Sequence, residues 1–102
     1  MIIKSEIKED VMYILMQGEL DEYSANYTRE WLDTTLSRCN FENVVLDMRD
    51  LEFMDSTGIG VMLGRYKKLQ SRNIPIYIIN PSNQAEKIFQ MAGLYDIMPK
   101  IS

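Results

Sequence analysis

Residues 43–66, NVVLDMRDLEFMDSTGIGVMLGRY, constrain this chain more than any other stretch. The apolar run Val44, Val45, Leu46 and Met48 predicts a buried strand over 44–48, followed by a short acidic connector. The spacing of Ile59, Met62, Leu63, Tyr66 and Leu69 then predicts a helix over 57–72, entered through Asp55-Ser56-Thr57-Gly58. Gly58, Gly60 and Gly64 lie within that helix or at its start, and each costs ~1 kcal/mol relative to alanine. Close backbone approach is the usual compensation. Gly64 fits tight helix–sheet packing, whereas Gly58 and Gly60, at the exposed entrance, point to a partner lying against the helix start. Ser56 or Thr57 would serve as an ordinary N-cap. A cap accounts for one hydroxyl, not for Asp55, Ser56, Thr57 and two glycines together. A phosphate on a serine here would meet free N–H groups and the favourable end of the helix dipole.

The rest of the chain supplies a scaffold for this junction. Residues 2–7 and 11–17, rich in Ile, Val, Met and Tyr around Lys8-Glu9-Asp10, predict an antiparallel hairpin. Met12, Ile14 and Met16 alternate with Val11, Tyr13 and Leu15, which predicts an inner strand covered on both faces. Gly18-Glu19-Leu20-Asp21 is its polar exit. Ala25, Thr28, Leu32, Leu36 and Cys39 give a helical stripe over 24–38, with Asp21 or Ser24 as cap and Asp21, Glu22 and Glu30 towards its N-terminus. In the second helix Arg65, Lys67, Lys68 and Arg72 fall where solvated cations suit the dipole. Asn73-Ile74-Pro75 breaks that helix, and Ile76–Ile79 form another buried strand. Pro81-Ser82-Asn83 opens a last helix, with Asn83 and Glu86 in a loose capping box and Ala85, Ile88, Phe89 and Ala92 as its stripe. Gly93 is its left-handed stop. Ile97-Met98 add a short terminal strand. The order is β-β-α-β-α-β-α: an α/β domain with a mixed sheet and right-handed crossovers.

Length and composition remove several function classes. At 102 residues the chain holds one core and one domain, 1–102. Without a single histidine, Ser-His-Asp and Cys-His nucleophile systems, the usual zinc sites and phosphohistidine relays are out. A net charge of −4 argues against a nucleic-acid partner held by phosphate neutralisation. The lone Cys39 fits a reducing compartment. No apolar run approaches the ~20 residues of a membrane span, and Met1–Glu6 lack the pattern of a signal peptide. The expectation is a cytoplasmic protein without a membrane partner.

Three functions compete for the junction. A dinucleotide site is disfavoured, because Gly58-x-Gly60-x-x-x-Gly64 is one residue off the fingerprint and no acid follows ~20 residues later, near Ile78 or Ile79. A magnesium-assisted phosphoryl site would draw on Glu19, Asp21, Asp47, Asp50, Glu52 and Asp55, but Ile79-Asn80-Pro81 lacks the lysine that receiver-like chemistry places after a later strand. The third is a protein-binding module switched by phosphorylation of Ser56.

Gly18–Asp21, Val45–Met48, Phe53–Lys67 and Ala92-Gly93-Leu94 closely resemble the anti-sigma factor antagonists of the STAS domain family, over about residues 3–98. The resemblance implies a single compact domain with a mixed sheet of about four to five strands and three to four α-helices. It implies no catalytic residue, metal or cofactor. Ser56 is the implied phosphorylation site, and the implied partner surface comprises Asp21, Tyr23, Asp55, Ser56, Thr57, Gly58, Ile59, Gly60 and Met62. The implied partners are an anti-sigma factor that is also an ATP-dependent serine kinase, and a PPM-type serine phosphatase. By the same resemblance, the unphosphorylated form binds the anti-sigma factor and frees its sigma factor, in sporulation or a stress response. Two departures stand out: the chain stops soon after Ile97-Met98, where some relatives carry a longer helix, and Tyr23 and Tyr27 replace small or polar residues.

Overall fold

The computed structural model describes residues 1–102. Strands β1 (Ile2–Lys8) and β2 (Val11–Leu20) form the expected hairpin. Its two-residue turn places Glu9 and Asp10 at φ 50° and 66°, the left-handed pair that matches the twist of a hairpin. Helix α1 (Ala25–Arg38), β3 (Asn43–Asp47), β4 (Leu51–Met54), α2 (Ser56–Gln70), β5 (Ile76–Ile79) and α3 (Asn83–Met91) follow, with a 3₁₀ turn at Leu94–Asp96. The main order is β1-β2-β3-β5, antiparallel between β1 and β2 and parallel elsewhere. The sheet is thus mixed, with five strands and three α-helices, as expected.

Strand β4 was not anticipated, and it matters most for the site. Residues 51–54 read as acidic connector, yet Leu51 and Met54 are buried and the segment runs parallel to the tail of β2, with Glu19 opposite Phe53 and Leu20 opposite Met54. Gly18-Glu19-Leu20 is therefore strand rather than polar exit, and Leu20 is fully buried. The reason is length: β2 runs past the end of β3, and its last backbone groups need another partner.

One face of the sheet carries the core. Met12, Ile14, Met16, Val44, Leu46, Ile76 and Ile78 meet Leu32 and Leu36 of α1, Val61, Met62 and Leu69 of α2, and Ala85 and Phe89 of α3. The other face of β2 is not covered as expected: Tyr13 is exposed and Val11 and Leu15 are half-buried. Helix α2 also differs from its predicted stripe. Gly58, Val61, Met62, Arg65 and Leu69 are buried, while Ile59, Leu63 and Tyr66 are only partly so, because α1 packs on its flank. Arg65 is consequently no solvated cation. Its side chain is 8% exposed and its Nε lies 3.0 Å from Asp33 of α1. Burial holds its pKa below the ordinary value, and Asp33 offsets that only in part.

The chain end departs from expectation too. Ser82, not Asn83, caps α3 by accepting from Ala85 N at 3.1 Å, and Glu86 instead pairs with Lys100 at 2.9 Å. Ala92 is exposed rather than on the buried stripe. Gly93 stops the helix at φ 68°. No strand forms at 97–98; instead residues 99–102 run along β5, with Ile78 N bonded to Pro99 O and Ile101 N to Ile78 O.

Candidate functional site

The site forms where the tails of β2 and β4 end side by side. Leu20 and Met54 are register partners, so Asp21 and Asp55 leave the sheet as neighbours, and Asp55 N bonds to Leu20 O at 3.3 Å. Asp55 has extended backbone and caps α2, its Oδ1 accepting from Gly58 N at 2.9 Å. The cap is thus neither Ser56 nor Thr57. Both hydroxyl residues fall in the first helical turn, exposed.

Gly58 has an internal explanation. A Cβ there would overlap the Leu20 carbonyl oxygen and sit 2.7 Å from Met54 Cγ and 2.9 Å from Leu20 Cγ. The glycine lets α2 start directly against the end of the sheet, so the expected partner contact is not needed to account for it. Gly64 does not pack tightly on the sheet either, since nothing lies within 4 Å of a Cβ built there. Gly60 is exposed with equally open surroundings, so no contact within the fold requires it.

On the other side of the junction, Asp21 folds its loop onto itself. Its Oδ1 accepts from the backbone N–H of Tyr23 (3.0 Å) and Ser24 (3.1 Å). Ser24 Oγ donates to Glu19 O at 2.7 Å and accepts from Asp21 N at 3.1 Å. Ser24 occupies the cap position of α1 without bonding a helix amide, and no acid lies in the first turn of that helix. The loop so fixed carries Tyr23, 89% exposed, and leads to Tyr27, 53% exposed.

Of the sequence-predicted site residues, Asp21, Tyr23, Asp55, Ser56, Thr57, Ile59 and Gly60 present surface at or beside this junction. Gly58 is buried, and Met62, 1% exposed, packs in the core, so both support the surface from beneath. Three residues join it that sequence reasoning missed. Phe53 points outward from β4, and Ile88 and Met91 of α3 line a shallow groove with Ile59 and Ser56. Met91 is 88% exposed. A large apolar side chain just off the core stripe of α3 was the available signal. The six carboxylates considered for magnesium do not converge, and no group of three or more acidic or thiol side chains forms a cluster suited to a metal ion. No helix is long and apolar enough to cross a membrane.

An exposed serine in the first turn of a helix, flanked by two carboxylates, an open glycine and several exposed apolar side chains, is suited to contact with another protein. Known proteins share the fold that carries it. The profile of the STAS domain family matches residues 3–102. An anti-sigma F factor antagonist of Paenibacillus polymyxa is 33% identical over 97 residues, covering 95% of this chain and 83% of that one. An anti-sigma-B factor antagonist of Listeria monocytogenes is 35% identical over 103 residues, covering 96% and 88%. The anti-sigma factor antagonist SpoIIAA in its unphosphorylated form superposes with a TM-score of 0.78 at 28% identity, over 99% of this chain and 89% of that one. Bacillus SpoIIAA in the phosphorylated form gives 0.70 at the same identity, over 99% and 92%. The chain belongs to the STAS domain family, in the branch of the anti-sigma factor antagonists.

Proposed function

We propose that this protein is an anti-sigma factor antagonist whose unphosphorylated form binds a cognate anti-sigma factor, itself a serine kinase that carries the ATP, and thereby releases a sigma factor. Phosphorylation of Ser56 abolishes that binding, and a PPM-type serine phosphatase restores it. The protein acts in the cytoplasm, in sporulation or a stress response, and performs no chemistry of its own. The observation that carries this is Ser56 itself, exposed in the first turn of α2 beside Asp55 and the Asp21 loop. Support comes from the two antagonists at 33% and 35% identity, and from a 28% identical antagonist solved with and without phosphate.

The physical basis is electrostatic and steric. A phosphate adds roughly −1.5 to −2 charges and three strong acceptors where Asp21 and Asp55 already stand, and it adds bulk next to the open Gly60. If the partner contact at this spot is worth ~3 kcal/mol, its loss lowers affinity by ~100-fold. Incubation with the cognate anti-sigma factor and ATP is expected to add a single phosphate, located at Ser56 by mass spectrometry. In titration calorimetry Ser56→Ala binds that partner as the unmodified protein does, and Ser56→Asp binds ~100-fold more weakly. Equal affinities for the two variants would refute the switch.

A further inference from the structure

The outer edge of β1 is the one long strand edge in the main sheet without a partner. On the far side, β5 is already paired with residues 99–102 through Ile78 N to Pro99 O, Ile101 N to Ile78 O and Asn80 N to Ser102 O. A two-residue hairpin closes on a hydrogen-bonded pair, here Lys8 and Val11. Even-numbered residues of β1 therefore bond β2, and Ile3, Ser5 and Ile7 turn their N–H and C=O groups outward. No turn, loop or cap hydrogen bond reaches these three. Ile2 and Ile7 on the same strand are 57% and 42% exposed.

We propose that this edge pairs antiparallel with the same edge of a second copy of the chain, about a two-fold axis at Ser5. The sequence Ile3-Lys4-Ser5-Glu6-Ile7 is complementary to itself in that register. Lys4 falls opposite Glu6 of the second copy, Ile3 opposite its Ile7, and symmetry repeats each contact. Ile2 lies along the alkyl stem of Lys8 from the other copy. Glu6 already sits 3.6 Å from Lys8 of its own strand, an exposed pair that leaves its carboxylate able to reach across. The two neighbouring registers that keep the outward groups paired set Lys4 against Lys4, or Glu6 against Glu6, and like charges directly opposite are unfavourable. Of these three registers, only the one about Ser5 joins opposite charges and apolar pairs together. The contact uses up the free edge of both copies, so assembly closes at two and does not propagate. The axis stands perpendicular to the sheet, so the ends of β2 and β4 point in opposite directions in the two copies. Both Ser56 sites remain open, at the two ends of a continuous ten-stranded sheet.

Sedimentation equilibrium of the full chain, taken up to about 1 mM, where weak specific association still registers, tests this. The unsubstituted protein is expected to form a reversible dimer. Lys4→Glu and Glu6→Lys each place like charges at two symmetric contacts and weaken association about 10-fold or more. The double variant K4E/E6K recreates the complementarity and restores the dimer, while circular dichroism shows all four proteins folded. A monomer at every concentration, a single variant that associates as well as the parent, or a double variant no better than the singles would each overturn the proposal. The charge exchange distinguishes register-specific pairing from simple loss of fold.

Discussion

Glycine 58 and glycine 60 are two residues apart and do opposite things. The first fits because no side chain can: a Cβ there meets the Leu20 carbonyl and the Met54 side chain. Gly58→Ala is therefore expected to cost about 1–3 kcal/mol, by overpacking at the point where helix and sheet touch. Gly60→Ala meets nothing and should raise folding stability by up to ~1 kcal/mol through helix propensity alone. Urea denaturation of both variants measures the two signs. Under the proposed function the partner occupies the open space at Gly60, so the stabilised Gly60→Ala protein is expected to bind the anti-sigma factor less well. Much at this scale was legible beforehand: the exposed helix entrance at Ser56, the left-handed Gly93 and a hairpin turn within Lys8-Glu9-Asp10 follow from local chemistry, although Lys8 itself belongs to β1. The cap was not, because Asp55, Ser56 and Thr57 are three good caps in succession. The fit of Gly58 against Leu20 decides among them, and that contact is tertiary.

Between elements, the tie that the sequence concealed is the one joining α1 to α2. A cation in the C-terminal half of a helix looks like a solvated charge, and only Asp33 on another helix makes Arg65 a buried one. The guanidinium and carboxylate are 3.0 Å apart yet off the line of a good hydrogen bond, and Arg65 Nη1 has no partner. Asp33 also holds Lys68, at 3.0 Å, but that lysine is 60% exposed. Removing Asp33 leaves a buried charge uncompensated. Because Asp33 is itself 32% exposed, Asp33→Ala is expected to cost ~2 kcal/mol, less than the ~3–5 kcal/mol of fully buried pairs. Lys68→Ala should stay within ~0.5 kcal/mol. Denaturant midpoints separate the two. Strand β4 escaped the sequence for a related reason. Four residues with Leu51 and Met54 inward and Glu52 and Phe53 outward show no period of two, and the segment becomes a strand only because the tail of β2 offers it an edge.

Across the whole molecule, the chain end strapped along β5 is held to α3 by Lys100 and Glu86. The hydrogen bond from Lys100 is the main influence keeping the Glu86 carboxyl below its ordinary value. A carboxylate depressed in the folded state adds stability above its unfolded pKa, ~4.3, and that stability is lost as pH falls through the folded value. Thermal melts over a pH series should therefore show Lys100→Met less stable than the parent at neutral pH, with the gap closing under acid. A gap that stays constant with pH would contradict the linkage.

The position of Ser56 has a last consequence for the kinase proposed to modify it. Many kinases read their targets as flexible, extended peptides drawn into a cleft. Ser56 cannot be drawn out without unwinding a helix whose third residue is wedged against the end of the sheet. A kinase acting on it as proposed must accept a folded object and take the first turn of α2 as it stands against the sheet. Its selectivity then rests on surface shape rather than on a linear motif, and a short peptide copied from this stretch is the wrong substrate.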